Sequence, residues 1–368
     1  MQSSKTSPKI IISGGGTGGH IYPAIAIADE IKSRLPKAEI LFVGALGKME
    51  MEKVPKAGYQ IKGLPIVGLD RGNLLSNFSF PSKLLKSLSL AKQIIKEFKP
   101  DVAIGTGGYA SGPLLWQASK MKIPVVIQEQ NSFPGITNKL LKNKAAAICV
   151  AYEGIEQFPK NKTHHTGNPI RAAIFQNLTS KDVALKSYGL DPNKKTILSI
   201  GGSQGSRTLN NAWKADLQKI QDAGVQLIWQ TGKLDYEKIK NEVSDEFNGI
   251  HITEFIYDMK TAFAAADVIV SRAGAMAISE LSLVGKPVIL VPFPFAAEDH
   301  QTKNADALVK ENAAIKYADT EVPAHLLDAA LELVQNEEKQ LSLSTNLKKL
   351  GKPNATKEIV DILLSQIK

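Results

Sequence analysis

Short apolar runs alternate with amphipathic stretches along the first half of the chain. The runs at Lys9–Ser13, Glu39–Val43 and Pro124–Gln128 predict buried strands, and apolar residues at helical spacing follow the first of them. Two further strands are predicted at Asp101–Ile104 and Ala146–Val150. Because strands that alternate with helices pair in parallel through right-handed crossovers, the pattern predicts a doubly wound sheet.

The pattern breaks around Thr163–Arg171 and then repeats. Further strands are predicted at Thr196–Ile200, Val225–Trp229, Val268–Ser271 and Val288–Pro292, and a last helix at Ala355–Ile367. A length of 368 residues suits two domains. We therefore predict an α/β protein with two Rossmann-like, doubly wound parallel-sheet domains that face each other across a cleft. The expected domains are residues 1–170 and 171–351, and the segment 352–368 is free to pack back on the first.

Three glycine-rich loops each follow a predicted strand and precede a predicted helix. They are Gly14–His20, Gly105–Pro113 and Gly201–Ser206. Glycine lets the backbone approach a ligand closely, and the helix that follows offers unpaired N–H groups to a phosphate. Ser271–Glu280 begins in the same way and adds the Glu280 carboxylate, which suits the two hydroxyls of a ribose.

Motifs that the sequence lacks exclude several classes of phosphate-containing ligand. The first loop fits G-x-G-x-x-G, but the strand after it ends Phe42–Ala45, without the acid that holds a dinucleotide ribose. The sequence has no G-x-x-x-x-G-K-[ST], D-x-D or H-E-x-x-H motif. A nucleotide-sugar enzyme that needs no metal and no cofactor fits these absences. The alternatives are a lipid galactosyltransferase or a UDP-GlcNAc epimerase, a non-catalytic nucleotide-sugar-binding regulator, and an NAD oxidoreductase.

Composition limits the partners and the compartment. The net charge of +9 favours anionic partners, but there is no basic low-complexity arm and aromatic residues make up only 6%, so we expect no nucleic acid. A single cysteine, Cys149, excludes an internal disulfide. The chain has neither an apolar signal sequence at its start nor a run of about 18 apolar residues, which predicts a cytoplasmic protein without a membrane span.

An ordered set of motifs carries a family resemblance over nearly the whole chain. The motifs are GGTGGH (Gly15–His20), GGYASGP (Gly107–Pro113), EQN (Glu129–Asn131), GNPIR (Gly167–Arg171), GGSQG (Gly201–Gly205), AMAISE (Ala275–Glu280) and DHQ-x-x-NA (Asp299–Ala305). In these the chain resembles the MurG family of bacterial peptidoglycan N-acetylglucosaminyltransferases. The resemblance implies a GT-B fold and inverting transfer of GlcNAc from UDP-GlcNAc to the C4 hydroxyl of MurNAc in lipid I. It also implies a peripheral protein on the cytoplasmic face of the inner membrane, with cell-wall and division proteins as partners.

The resemblance assigns roles to particular residues. Those expected to contact UDP-GlcNAc are Thr17, Gly18, Gly19, Asn131, Arg171, Ser203, Ile256, Ala275, Met276, Ala277, Ile278, Ser279, Glu280 and Gln301. Gly108, Tyr109 and Ser111 are expected at the diphosphate of the acceptor. Where many family members have His before the EQN motif, this chain has Gln128.

Two residues are candidates for the base that deprotonates the acceptor hydroxyl. His20 opens the helix after the first glycine loop, where the positive helix end favours a neutral imidazole that can accept a proton. A role limited to hydrogen bonding is the alternative for His20. Glu129 is the second candidate.

The segment Ser82–Lys99 suggests how the enzyme meets a membrane-bound acceptor. Apolar residues at helical spacing run from Leu84 to Phe98, and positive charge comes from Lys83, Lys86, Lys92, Lys96 and Lys99. We expect this stripe to face the core. The contact with an anionic membrane is then expected from the Leu74–Phe80 loop together with the lysines.

Overall fold

The computed structural model describes residues 7–68, 78–170, 178–202, 204–243 and 247–367, except the side chain of residue 297. Contacts divide the chain into two units. Unit 1 comprises Met1–Arg171 with Pro353–Lys368, and unit 2 comprises Ala172–Lys352.

The described part of unit 1 is built on a parallel sheet. Its strands are β1 (Lys9–Gly14), β2 (Glu39–Ala45), β3 (Gln60–Leu64), β4 (Val102–Gly107), β5 (Val125–Glu129), β6 (Ala147–Val150) and β7 (Thr163–His165), and they lie in the order β3-β2-β1-β4-β5-β6-β7. The α-helices between β1 and β7 are α1 (Gly18–Arg34), α2 (Glu50–Lys56), α3 (Phe80–Phe98), α4 (Ser111–Lys120) and α5 (Ile136–Leu141).

The described part of unit 2 repeats the design. Its strands are β8 (Thr196–Ile200), β9 (Gln226–Gln230), β10 (Ile250–Thr253), β11 (Val268–Ser271), β12 (Val288–Leu290) and β13 (Ile315–Lys316), in the order β10-β9-β8-β11-β12-β13. Its helices are α6 (Lys181–Ser187), α7 (Arg207–Ala215), α8 (Leu217–Asp222), α9 (Tyr236–Glu242), α10 (Met259–Ala265), α11 (Ala275–Val284), α12 (His300–Lys310), α13 (Val322–Gln335) and α14 (Glu337–Leu350). The last helix, α15 (Ala355–Ser365), belongs to unit 1.

The apolar runs form strands that are buried on both faces. In β1, Ile10 and Ile12 join a core cluster with residues of α1 and α15, whereas Ile11 joins a second cluster with residues of α3 and α4. Side chains alternate between the faces of a strand, so a continuous apolar run fills the cores on both sides of a parallel sheet. The expectation that the apolar stripe of α3 faces the core is confirmed by Ala91 and Ile95, which are buried in the second cluster.

Each strand predicted from an apolar run is present, and its bounds agree with the prediction to within a few residues. The strand predicted at Asp101–Ile104 begins one residue later and continues to Gly107. Sequence reasoning missed β3, β7, β10 and β13, whose residues are exposed or only partly buried apart from Leu64. The alternation of strands and helices was expected to break at Thr163–Arg171. Because Thr163–His165 forms β7, which pairs with β6, the break begins after His165.

The strand order places the glycine loops in pairs. In unit 1 the chain starts at β1, builds outward through β2 and β3, and returns to the other side of β1 at β4. In unit 2 it does the same around β8 and β11. Ligands of open α/β sheets bind at such switch points, beyond the carboxyl ends of the strands. The loops after β1 and β4, and those after β8 and β11, occupy these two positions.

Candidate active site

The two glycine loops of unit 1 are in backbone contact. The Gly15 N–H donates to the Gly107 carbonyl oxygen at 3.3 Å. A Cβ atom at Gly108 would lie 2.3 Å from the Gly15 carbonyl oxygen, and Gly108 has a φ of +90°. Only glycine meets both conditions without strain, so the glycines here serve loop-to-loop packing as well as ligand approach.

His20 lies between these loops, in the first turn of α1. Its Nδ1 atom is 3.0 Å from the Gly15 carbonyl oxygen. A carbonyl oxygen can only accept, so the shared proton is on Nδ1, and a neutral His20 ring carries its lone pair on Nε2. The Nε2 edge faces the second loop, because a Cβ atom at Gly107 would lie 2.9 Å from Nε2. In this orientation a neutral His20 ring would accept a proton at Nε2.

Glu129 ends β5 and is almost fully buried. Its Oε1 atom accepts from the backbone N–H and the side-chain amide of Asn131, at 3.1 and 3.2 Å. Its Oε2 atom accepts from the Gly135 N–H at 3.0 Å and from the Asn138 amide at 2.8 Å. The geometry gives this carboxylate a structural task, since it holds the loop that carries Asn131.

The second loop also contains the residues expected at the acceptor diphosphate. Ser111 is buried, and its hydroxyl is 2.8 Å from the Gly107 carbonyl oxygen and 3.0 Å from that of Ser13. Its backbone N–H at the start of α4 is thus the group that suits a ligand. The Tyr109 side chain is 47% exposed and its ring approaches Gly16.

In unit 2 the loops after β8, β9 and β10 converge through one side chain. Gln230, the last residue of β9, donates from Nε2 to the Gly202 carbonyl oxygen at 3.0 Å. Its Oε1 atom accepts from the Ile256 N–H at 3.1 Å. The Ile256 N–H already donates to Gln230, so the Ile256 carbonyl oxygen is the backbone group that would contact a nucleobase.

Arg272 ties the loops after β8, β11 and β12 together. Its guanidinium donates to Ser206 Oγ at 2.6 Å, to the carbonyl oxygens of Val291 and Pro292 at 3.2 and 3.1 Å, and to Asp319 Oδ1 at 2.6 Å. Ser206 is the N-cap of α7. The arginine thus fixes the helix end that follows the GGSQGS loop.

The fourth loop leads into α11, whose N-cap is Gly274. Ala275 and Ile278 are buried, Met276 and Ala277 are partly buried, and the Ser279 hydroxyl donates to the Ala275 carbonyl oxygen at 2.9 Å. Burial raises the pKa of Glu280 to about 7. Within the described part of the chain no side chain or N–H group donates to this carboxyl, so a ligand hydroxyl would find its acceptor sites available.

Gln301 lies in the first turn of α12, after two non-glycine residues with left-handed backbone, Glu298 and Asp299. Its Oε1 atom accepts from the Phe293 N–H at 2.9 Å. This bond leaves the amide N–H groups as the donors that Gln301 can offer to a ligand.

The described residues that were predicted for the site all end or follow strands, at the carboxyl edge of the sheet of their own unit. Thr17 is the N-cap of α1, and Gly18 and Gly19 form its first turn. Arg171 and Ser203 lie outside the described residues. Sequence reasoning missed Glu50, Gln230 and Arg272. Gln230 ends β9 and Arg272 directly follows β11, so polar residues at the ends of strands were the available signal.

The chain is similar to known glycosyltransferases over most of its length. Residues 10–150 match the glycosyltransferase family 28 N-terminal domain, and residues 196–359 match the family 28 C-terminal domain. A relative from Phocaeicola vulgatus is 56% identical over 93% of this chain and 92% of its own length. Another from Parabacteroides distasonis is 51% identical over 98% of both chains. Both are named UDP-N-acetylglucosamine--N-acetylmuramyl-(pentapeptide) pyrophosphoryl-undecaprenol N-acetylglucosamine transferase.

Solved structures agree with this result. MurG from Acinetobacter baumannii has a TM-score of 0.78 and 26% identity, over 97% of this chain and 99% of that one. The S. aureus MnaA–UDP structure has a TM-score of 0.67 at 15% identity, over 96% of this chain and 95% of that one, and shares the fold. The two doubly wound domains and the two family 28 matches identify a glycosyltransferase of the GT-B type, as predicted. The chain belongs to the MurG family of N-acetylglucosaminyltransferases, which confirms the resemblance.

Proposed function

We propose that this protein transfers GlcNAc from UDP-GlcNAc to the C4 hydroxyl of MurNAc in undecaprenyl-pyrophosphoryl-MurNAc-pentapeptide (lipid I), which gives lipid II with inversion at the anomeric carbon. Membership of the family supports the reaction. The observation that carries the mechanism is the orientation of His20, whose Nδ1 atom is bonded to the Gly15 carbonyl oxygen.

In the proposed step the C4 hydroxyl gives its proton to Nε2 of His20. The hydroxyl oxygen attacks the anomeric carbon of GlcNAc, the bond to UDP breaks, and the electron pair leaves on the diphosphate. Glu129 is the less suitable base, because four N–H donors already surround its carboxylate. We assign Glu129 to the positioning of Asn131, which would contact the GlcNAc hydroxyls.

The donor nucleotide is proposed to bind at the switch point of unit 2. The N-terminal ends of α7 and α11 present N–H groups and positive helix ends that suit the diphosphate. The Glu280 carboxylate would accept from the ribose hydroxyls, and the Ile256 carbonyl oxygen from the uracil. Gln301 would donate to the sugar.

The acceptor diphosphate is proposed to bind in unit 1, at the start of α4. The Ser111 N–H lies in the first turn of this helix, after Gly108 and Tyr109. Thr17, Gly18 and Gly19 would line the donor sugar and its diphosphate from the first loop. Arg171 and Ser203 keep their proposed donor contacts from the resemblance alone.

The membrane surface is proposed to lie on the outer side of α3, α4 and α5, of which α4 contacts both of the others. Phe78 before α3, Leu85 in α3 and Leu140 in α5 are 83%, 69% and 70% exposed. Lys120 and Lys144 lie over the ring of Trp116 in α4, at 5.7 and 4.3 Å from its centroid. Exposed apolar side chains among lysines suit an anionic bilayer.

Location at the inner face of the bacterial plasma membrane follows from the membrane-bound acceptor. Among the described residues, none of the helices is both long and apolar enough to span a bilayer. Leu74 and Leu75, part of the expected contact loop, lie outside the described residues.

Liposome flotation tests the proposed membrane surface. The double variant Phe78→Ser with Leu85→Ser should bind anionic vesicles severalfold more weakly, whereas Leu341→Ser, which changes an exposed leucine of unit 2, should not. Association with cell-wall and division proteins, and the lack of a nucleic acid partner, remain predictions.

Release of UDP from UDP-GlcNAc on addition of a lipid I analogue tests the reaction, with UDP-GalNAc as the donor control. No acceptor-dependent release would refute the proposed function.

The His20→Ala variant tests whether His20 is the catalytic base. We expect kcat to fall by about 10²–10⁴-fold, the usual contribution of a general base. Near-normal kcat with an unchanged acidic limb of the pH–rate profile would exclude His20.

A further inference from the structure

The first glycine loop is held from behind by a buried carboxylate. Glu50, the first residue of α2, is fully buried. Its Oε2 atom accepts from the Gly16 N–H and its Oε1 atom from the Ala45 N–H, each at 2.9 Å. A Cβ atom at Gly15 would lie 2.2 Å from Oε1, and one at Gly44 would lie 2.5 Å from the Glu50 Cγ. The two glycines therefore form a slot that this side chain fills.

The same peptide unit connects Glu50 to His20. The Gly16 N–H, which donates to Glu50, and the Gly15 carbonyl oxygen, which accepts from His20 Nδ1 at 3.0 Å, belong to one peptide bond. In a trans peptide these groups point in opposite directions, so carboxylate, peptide and imidazole form a chain of hydrogen bonds. A carboxylate that draws on the N–H increases the negative charge on the carbonyl oxygen, which then accepts the Nδ1 proton more strongly.

We propose that Glu50 is a positioning residue that acts on His20 through the Gly15–Gly16 peptide, where it holds the imidazole in the Nδ1–H tautomer and raises the proton affinity of Nε2. The consequence for catalysis rests on the proposed role of His20 as the base, whereas the effect on the imidazole does not. Among the residues that the structure describes, the glycines of this loop also contact the phenol rings of Tyr109, from the second glycine loop, and Tyr22, from α1.

The first experiment is NMR of the full-length Glu50→Gln variant with ¹⁵N-labelled histidine. Glutamine has the same shape, but it is neutral and its NH2 group would face one of the two N–H donors. The chain has six histidines, and a His20→Gln variant identifies the His20 signals. We expect the neutral wild-type ring to be the Nδ1–H tautomer. In Glu50→Gln the titration midpoint should fall by about half a pH unit and Nε2–H tautomer should appear.

The matched control is Glu321→Gln. The Glu321 carboxylate also accepts a hydrogen bond from a backbone N–H, in this case the N–H of Ala318 at 2.6 Å. Glu321 lies in unit 2, whereas His20 lies in unit 1. This variant should leave the His20 signals unchanged. If His20 signals in folded Glu50→Gln equal those of the wild type, Glu50 only fills its slot and the proposal is overturned.

A second measurement needs no variant, in case Glu50→Gln does not fold. In the wild-type protein the Gly16 amide resonance should follow the titration of His20, because both belong to the same hydrogen-bonded chain. Gly189, in the turn after α6, should not respond. A Gly16 amide that does not follow His20 would overturn the proposal.

Kinetics separate this inference from the proposed function. If His20 is the base, the acidic limb of kcat/KM in Glu50→Gln should move to lower pH together with the NMR midpoint. A shift in the NMR midpoint with an unmoved limb would exclude His20 as the base and still support the effect of Glu50 on the imidazole.

Discussion

Replacement of Glu280 by glutamine is expected to stabilise the protein at alkaline pH. Burial raises the pKa of this carboxyl from 4.5 to about 7. In an unfolded chain the group ionises near 4.5, so below that pH it is protonated in both states and has no effect on stability. As the pH rises from 4.5 to about 7, the carboxyl ionises in the unfolded chain but stays protonated in the folded protein, so the free energy of unfolding falls. Above pH 7 this destabilisation is complete.

The size of the effect follows from the same values. A rise from 4.5 to about 7 corresponds to about 3 kcal/mol at pH 8. The Glu280 side chain keeps some exposed surface, although protein atoms crowd its carboxyl. Solvent screening therefore reduces the expected gain of Glu280→Gln to about 1–2 kcal/mol.

Urea unfolding at pH 5 and pH 8 measures this gain. Trp213 and Trp229, both fully buried in unit 2, report on the unfolding of the unit that contains Glu280. We expect the stability difference between Glu280→Gln and wild type to grow by about 1–2 kcal/mol from pH 5 to pH 8. The exposed Glu237, in the same unit, provides the control variant. A difference that does not change with pH would refute the argument from desolvation.

Donor binding gives the same residue a second, opposite signature. If the ionised carboxyl accepts the ribose hydroxyls, the proton of Glu280 must leave before UDP-GlcNAc binds. With a pKa of about 7, affinity should fall about tenfold between pH 8 and pH 6. Calorimetric titration without acceptor measures this, and Glu280→Gln should bind more weakly at pH 8 with a flat pH dependence. A flat profile in the wild type would show that Glu280 does not accept the ribose as a carboxylate.

Three more predictions concern single residues. Glu129→Gln should lower kcat and raise the KM for UDP-GlcNAc while the acidic limb stays in place, and loss of that limb would identify Glu129 as the base. Gly108→Ala should cost about 2–3 kcal/mol in chemical unfolding, because the new Cβ meets the Gly15 carbonyl oxygen in left-handed backbone; Gly154→Ala, left-handed in open space, should cost only about 1 kcal/mol. Burial raises the pKa of the Cys149 thiol to about 12, so alkylation at pH 8 should require unfolding, and rapid labelling of the folded protein would contradict this.

Sequence patterns predicted the central strands well because those strands are buried on both faces. Runs such as Ile10–Ile12 have no polar interruption, and burial on two sides requires none. The strands at the sheet edges carry a weaker signal. Gln60–Leu64 alternates between exposed and partly buried positions, and Ile315–Lys316 is two residues long, so neither pattern exceeds that of an ordinary loop.

The candidate site was predictable where one segment contains the whole signal. A glycine run between a strand and a helix is local, and so is the His20 that opens α1. Glu50 gives no such signal, because an acid in the first turn of a helix is common for reasons of helix electrostatics alone. Its contact with Gly16 depends on the pairing of β1 with β2, which brings residues far apart in the sequence together. The task of Glu129 likewise depends on Asn138, in the helix that follows.

The two switch points are alike in topology but are held by opposite charges. In unit 1 the loop with the proposed base is backed by the Glu50 carboxylate, which favours the uptake of a proton by His20. In unit 2 the N-cap of α7 is bonded to the guanidinium of Arg272, which favours an anion even though Asp319 offsets part of its charge. Glycosyl transfer needs both, since the acceptor loses a proton while the diphosphate gains negative charge. The helix ends that follow the glycine loops favour an anion in both units, so they do not distinguish the two tasks. The charge behind each loop is the feature that differs between the units.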